Sequence, residues 1–145
     1  MHPSKPLTVP LFVPGHRPEL LAKAAASGTD AVIMDFEDAV SEADKPAAHE
    51  ALAACSALPV PLAVRCNGFG SPWFEKDLAA LAKFPPDMVM LPKAESASHI
   101  EILAEKFGSD MPIIPIIESA VGLAMVEDMM AHRSVLQCAF GLSLI

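Results

Sequence analysis

Asp35, Glu37 and Asp38 place three carboxylates within four residues of one another, at the end of the apolar run of residues 31–34. Alternation along an extended chain puts Asp35 and Glu37 on one side and Asp38 on the other. Acids this close repel unless a cation is near. The cluster is therefore either a solvated strand exit or a place where a metal or another cation binds. Asp35 should still lie within the strand, where a carboxylate must be paired. Arg65 ends another apolar run and is followed by Asn67-Gly68. A guanidinium there can grip a planar carboxylate with two parallel hydrogen bonds, or it can form an internal ion pair with Glu37 or Glu118. Lys93 follows Leu91-Pro92. A depressed pKa would suit it to Schiff-base chemistry, but the acids around it favour the ammonium, so ion pairing is the expectation. Glu118 follows Ile113-Ile114-Pro115-Ile116-Ile117 with no polar residue between. It is a hard-cation ligand or a paired structural acid, and Mg2+ usually needs only one or two carboxylates besides substrate oxygens and water.

Other signals carry less. His49, between Ala48 and Glu50 on a helical stretch, is expected at the surface, and His16, His99 and His132 lack metal-ligand spacing. Gly68-Phe69-Gly70 lacks the full dinucleotide fingerprint, and Ser119 is outside any nucleophile-elbow sequence.

The elements that must position these groups are read from the apolar runs. Residues 7–13, 31–34, 61–64, 88–91, 113–117 and 135–140 read as strands. Residues 18–27, 41–57, 77–83, 98–107 and 122–131 read as helices, with Lys45, His49 and Glu50 on the polar side of the second. Gly28 and Gly108 fall where helix C-caps need positive φ. Short continuous apolar runs alternating with helices indicate βαβ units and a parallel sheet covered on both faces. Two α/β architectures compete: an open doubly wound sheet, and a (β/α)8 TIM barrel represented by about six βα units of the usual eight. Length favours the open sheet. The charged groups ending strands two to five (Glu37/Asp38, Arg65, Lys93 and Glu118) favour the barrel, whose strand ends converge on one pocket.

Composition excludes several classes. The 145 residues are 52% hydrophobic and 19% charged, too apolar for a disordered chain. No stretch approaches the roughly 18 apolar residues of a membrane span; the longest candidate, residues 51–64, is cut by Ser56, Pro59 and Pro61. Ten Lys+Arg against 18 Asp+Glu give a net charge of −8, which opposes nucleic-acid binding. Cys55, Cys66 and Cys138 have no CxxC spacing and read as buried thiols of a cytoplasmic domain. The first ten residues lack the apolar core of a secretory signal.

Several motifs, in order, resemble the citrate lyase beta subunit family. They are Leu11-Phe12-Val13-Pro14-Gly15, Asp35-Phe36-Glu37-Asp38-Ala39-Val40 with Lys45 after it, Val64-Arg65-Cys66-Asn67, Met90-Leu91-Pro92-Lys93-Ala94-Glu95, Ile116-Ile117-Glu118-Ser119-Ala120 and Phe140-Gly141. This group is related to malyl-CoA and citramalyl-CoA lyases within the HpcH/HpaI aldolase superfamily. The resemblance implies a TIM barrel, with residues 1–145 as one partial barrel domain. It implies Mg2+-dependent cleavage of a 3-hydroxy-acyl thioester to a 2-oxo acid and an acetyl-type thioester, the carrier being CoA or an acyl-carrier protein. On this chain it makes Glu118 a Mg2+ ligand and Arg65 the binder of the oxo-acid carboxylate, with Gly141 on the substrate side. Glu37 and Asp38 become the acidic, water-holding side of the metal site, with Lys93 pairing among them.

The chain departs from that pattern at Thr8-Val9 and at His49, where the resemblance calls for Arg-Ser and Arg. It departs again at Leu144, the place of a second metal carboxylate. No strands seven and eight follow. The expectations are therefore a lyase or its partial catalytic domain, homo-oligomerisation or a further segment covering the apolar surface, and, as the alternative, a non-catalytic binding or assembly module. A receiver-like signalling domain fits poorly, because Arg65 stands where the phosphorylated Asp would be.

Overall fold

The computed structural model describes residues 5–141. Its strands are β1 (Pro10–Pro14), β2 (Ala31–Asp35), β3 (Leu62–Arg65), β4 (Met88–Leu91), β5 (Ile113–Ile117) and β6 (Ala139–Phe140). All pair in parallel, in the order β1-β2-β3-β4-β5-β6. The order never reverses, so there is no switch point of the kind an open doubly wound sheet requires. Each crossover continues in the same direction, and the sheet curls into a half-barrel.

Strand alternation divides the sheet's side chains into two separate clusters. Val13, Val32, Met34, Val64, Val89, Leu91, Ile113 and Ile117 pack with helix residues such as Leu52, Leu78, Leu81, Ile100 and Leu103. The intervening Ala31, Ile33, Ala63, Met88, Met90, Ile114 and Ile116 form the inner cluster, against which Leu7 and Ala139 pack. Burial of each Val, Leu, Ile or Met side chain contributes about 1.5–3 kcal/mol. The curl also brings distant parts of the chain together: the Leu7 N–H donates to Gln137 Oε1 at 2.5 Å, and Gln137 Nε2 donates to Leu7 O at 3.4 Å. Helices thus cover the outer face alone, and side chains fill the inner one.

The helices are α1 (Leu21–Ala25), α2 (Lys45–Ala53), α3 (Phe74–Lys83), α4 (Ala97–Phe107), α5 (Ala120–Ala124) and α6 (Val126–Met130). Where one helix is expected over residues 122–131 there are two, separated at Met125, whose N–H is shared between the carbonyls of Val121 and Gly122. The second helix is shorter than the expected 41–57. It is preceded by a 3-10 turn at Glu42–Asp44 and stops before Pro59 and Pro61, which favour extended chain. The last strand keeps only two residues, with an isolated bridge from Val135 to Ile113. Gly108 caps α4 with the positive φ expected, +86°, whereas α1 ends earlier, with Ala26 as its C-cap, and Gly28, at φ +90°, lies two residues beyond it.

At the mouth of the half-barrel, the Gly15 N–H donates to Asp35 O at 2.8 Å. A Cβ at Gly15 would lie 2.7 Å from that oxygen and 2.9 Å from Ala48 Cβ. Gly15→Ala should therefore cost about 1–3 kcal/mol, as overpacking against backbone does. Urea unfolding checks this: the midpoint falls at constant slope, and an unchanged midpoint would show that the approach is not limiting.

Candidate active site

Register brings the first two groups together. Asp35 and Arg65 are Cα partners at the ends of β2 and β3. Asp35 is only 1% exposed and its carboxylate accepts from Arg65 Nε at 2.7 Å and Arg65 Nη2 at 2.6 Å. It also accepts from the N–H groups of Glu37 and Ala39, at 2.9 and 3.0 Å. Burial pushes the Asp35 pKa up, but the Arg65 hydrogen bonds and these amides outweigh it and hold the carboxyl below its ordinary value. Arg65 thus pairs chiefly with Asp35, and the expected ion pair with Glu37 is present as a longer contact, while the one with Glu118 is not. Its Nη1 lies 3.6 Å from Glu37 Oε1, and its guanidinium carbon lies 4.9 Å from the centre of the Phe12 ring. Burial works against the Arg65 charge, and Asp35, Glu37 and Asp38 more than restore it.

Glu37 follows as a buried acid with one oxygen engaged. Oε2 accepts from Lys93 Nζ at 3.0 Å, while the buried Oε1 has no hydrogen-bond partner. Burial, with repulsion from Asp38, raises the Glu37 pKa despite Lys93 and Arg65. Asp38 is exposed. Lys93 is held cationic by its bond to Glu37, against the opposing effect of burial, so it has the ion-pairing character expected of it and not that of a Schiff-base nucleophile. Its backbone is in the left-handed region, with φ of +51°, a conformation that costs a side-chain-bearing residue roughly 1–2 kcal/mol. This turn aims the Lys93 N–H at Glu118 Oε2, 2.7 Å away. Glu118 in turn packs on Gly141, where a Cβ would meet Glu118 Cγ at 2.7 Å.

A pocket of about 470 Å³ opens beside these groups, lined by Glu37, Asp38, Lys45, Asn67, Phe69 and Lys93 among others. Arg65 and Glu118 lie outside its lining. Among the described residues no three His, Cys, Asp or Glu side chains converge as a metal-binding group. Leu144 lies outside the described residues. Cys66 is buried, and burial pushes its thiol up, which excludes it as a ready nucleophile; Cys55 and Cys138 are half-buried rather than buried.

Lys45 and His49 are not on a solvated face. Lys45 is buried, and Nζ donates to Phe36 O at 2.8 Å, Glu37 O at 3.2 Å and Asn67 Oδ1 at 2.9 Å. His49 is half-buried, with Nε2 2.7 Å from Oδ1 of the fully buried Asp77. Asp77 is absent from the sequence reading, yet it carried a signal. Phe74, Asp77, Leu78 and Leu81 are the buried residues of α3, the i, i+3, i+4, i+7 stripe of an amphipathic helix with an acid in it. Lys45 breaks the buried stripe of α2 in the same way.

A curled parallel sheet with charged groups gathered at the C-terminal ends of its strands is the site arrangement of the barrel class of α/β enzymes. The family model for HpcH/HpaI aldolase/citrate lyase matches residues 8–143, and the chain belongs to that family. It is 43% identical over 121 residues to a citrate lyase subunit beta-like protein of Mycobacterium tuberculosis, covering 83% of this chain and 42% of that protein. It is 31% identical over 136 residues to a (3S)-malyl-CoA thioesterase of Cereibacter sphaeroides, covering 90% of this chain and 47% of that one. The solved citrate lyase beta subunit from M. tuberculosis, complexed with oxaloacetate and magnesium, superposes with a TM-score of 0.82 at 40% identity, covering 91% of this chain and 56% of that one. The chain thus spans about half the length of the relatives it matches. Among the described residues no helix is long and apolar enough to cross a membrane.

The Asp35 shift has a definite sign in stability. A carboxyl whose folded pKa is lowered contributes stability above its unfolded pKa, about 3.9, and loses it as pH falls through the folded value. Asp35→Asn should therefore cost most at neutral pH and progressively less toward pH 2. Urea midpoints of both proteins across this range test it; a pH-independent cost would contradict the assignment.

Proposed function

We propose that this chain is one partial barrel domain carrying the oxo-acid end of a Mg2+-dependent carbon–carbon lyase. Its substrate would be a 3-hydroxy-acyl thioester of citryl, malyl or citramalyl type, on CoA or an acyl-carrier protein, cleaved to a 2-oxo acid and an acetyl-type thioester. The observation that carries this reading is Arg65. Asp35 fixes its Nε and Nη2 side, leaving the Nη1 edge beside Glu37 for the carboxylate of a 2-oxo acid. Glu37, with one oxygen that accepts no hydrogen bond and a raised pKa, is suited to take the hydroxyl proton. Lys93 orients Glu37, Asp38 adds charge that opposes its ionisation, and Gly141, on the substrate side, gives the Glu118 side chain the space it packs into. The relatives support the substrate class: oxaloacetate and magnesium occupy one of them, and malyl-CoA names another.

The residues at the strand ends fit Mg2+ by donor chemistry. They are hard carboxylate oxygens; Glu37 Oε1 accepts no hydrogen bond and has only the longer contact with Arg65 Nη1, and Oε2 of Glu118 is hydrogen-bonded to Lys93 N. Glu118 would hold the ion, with Glu37 and Asp38 holding its waters. Mg2+ supplies Lewis-acid polarisation of a carbonyl oxygen. Leu144, where the resemblance calls for a second carboxylate, favours weak metal affinity and a second reading, capture without turnover. Exposed Val121, Leu123 and Phe140 support a homo-oligomer.

Titration calorimetry of oxaloacetate with Mg2+ tests the reading. Binding should require the metal and weaken at least about tenfold in Arg65→Ala, as loss of charged hydrogen bonds does. Arg65→Lys, which keeps a cation opposite Asp35, should bind weakly while staying folded. A folded wild-type chain that ignores oxaloacetate overturns the proposal. Incubation with malyl-CoA then separates the chemistries: glyoxylate marks C–C cleavage, free malate marks hydrolysis, and neither marks capture alone.

A further inference from the structure

Lys45 and Asn67, in the lining of the pocket, and Asp77, outside it, are all buried, and they join α2, the loop after β3 and α3. Every bond in this set has one direction. Lys45 Nζ donates to the carbonyls of Phe36 and Glu37 and to Asn67 Oδ1. The other side of the same amide donates: Asn67 Nδ2 gives to Phe36 O at 3.1 Å and to Asp77 Oδ2 at 2.7 Å. The Asn67 N–H also donates to Asp77 Oδ2, at 2.6 Å. Among the described residues no carboxylate is hydrogen-bonded to the Lys45 ammonium. A buried ammonium without a compensating charge is costly, and Asp77, one amide away, supplies it. The whole arrangement ends on the backbone of Phe36 and Glu37, the segment from which the Glu37 side chain projects.

We infer that Asp77 is a positioning residue for this site, acting through Asn67 and Lys45 on the backbone of Phe36 and Glu37, with His49 as the group that reports on and steadies it. The inference rests on the proposed function only for what the positioned site binds; the linkage itself does not. His49 Nε2 meets Asp77 Oδ1, the oxygen that Asn67 leaves free, and its ring lies edge-on to Phe36 and Trp73, with centroids 5.2 and 6.1 Å away. The charged groups around it are Asp77 on α3 and Lys45 one turn earlier on α2. Glu42 and Lys76 reach Trp73 rather than the imidazole, and Glu50 is exposed. A cation at residue 49 would therefore sit directly against Asp77.

Amide NMR reads the linkage without any ligand. Asp77→Asn, which keeps the shape of the side chain and removes its charge, should move the Asn67 and Glu37 amide signals while those of β5 stay in place. A folded Asp77→Asn chain whose Glu37 amide stays still would overturn the inference. Oxaloacetate affinity supplies the second readout. Asp77→Asn should weaken binding about tenfold, and Asp77→Glu, which restores the charge, should recover part of it; unchanged affinity in Asp77→Asn would contradict the inference. His49→Arg, a permanent cation against Asp77, should bind more tightly than His49→Gln, and equal affinity of the two would reduce His49 to packing and contradict its part in the inference. A wild-type chain that binds no oxaloacetate, with the Glu37 amide still moved in Asp77→Asn, would sink the proposed function and leave the linkage standing.

Discussion

Asp35 and Arg65 are register partners on adjacent strands, and burial makes each costly without the other. An isolated buried ion carries a desolvation penalty of several kcal/mol, and removing one member of such a pair typically costs about 3–5 kcal/mol. The pair also settles two geometries at once. Asp35 spends its remaining lone pairs on the amides of Glu37 and Ala39, which turns the chain sharply after β2 and sends Glu37 toward the pocket. Arg65, held along its Nε and Nη2 side, is fixed in orientation, with Nη1 turned toward Glu37.

From that pair the contacts run across the mouth of the half-barrel strand by strand. Glu37 takes Lys93 from the end of β4, the strained Lys93 backbone takes Glu118 from the end of β5, and Glu118 packs on Gly141 beyond β6. None of these groups is near another in sequence. The curl makes them neighbours, because a sheet whose order never reverses directs all its strand ends to one side of one inner surface. Backbone strain at Lys93 fits this picture: a φ of +51° is unfavourable for lysine, and here it serves both an amide and an ammonium contact.

Much of this was legible in the residues. The six apolar runs located the strands because fully buried parallel strands are short and continuously apolar, and the charges ending them pointed to a barrel mouth against the argument from length. Asp35 was legible as an acid needing a partner, but the partner itself was not, because it depends on the register that sets Val32 beside Leu62 and Asp35 beside Arg65. Lys45 and His49 were misplaced for a different reason. A charged residue on a helix is ordinarily solvated, and only the burial of the α2 and α3 stripes shows that Lys45 and Asp77 face the sheet. Gly122 and Gly141, beside the split helix and the short last strand, pack so closely that a Cβ would lie within 2.7 Å of a neighbouring atom, and such contacts between distant parts of the chain are not legible in a sequence.

The central claim, that Asp35 and Arg65 act as one unit at the mouth of the half-barrel, is tested most directly by a double-mutant cycle on stability. Asp35→Asn, Arg65→Gln and the double variant would be unfolded in urea at neutral pH. Arg65→Gln leaves the buried Asp35 charge without its cation and Asp35→Asn leaves Arg65 only the longer contact with Glu37, whereas the double change removes both charges. The account predicts that the double variant loses less than the sum of the singles, by at least about 1.5 kcal/mol. Losses that add to within about 0.5 kcal/mol would show two independent residues and contradict it.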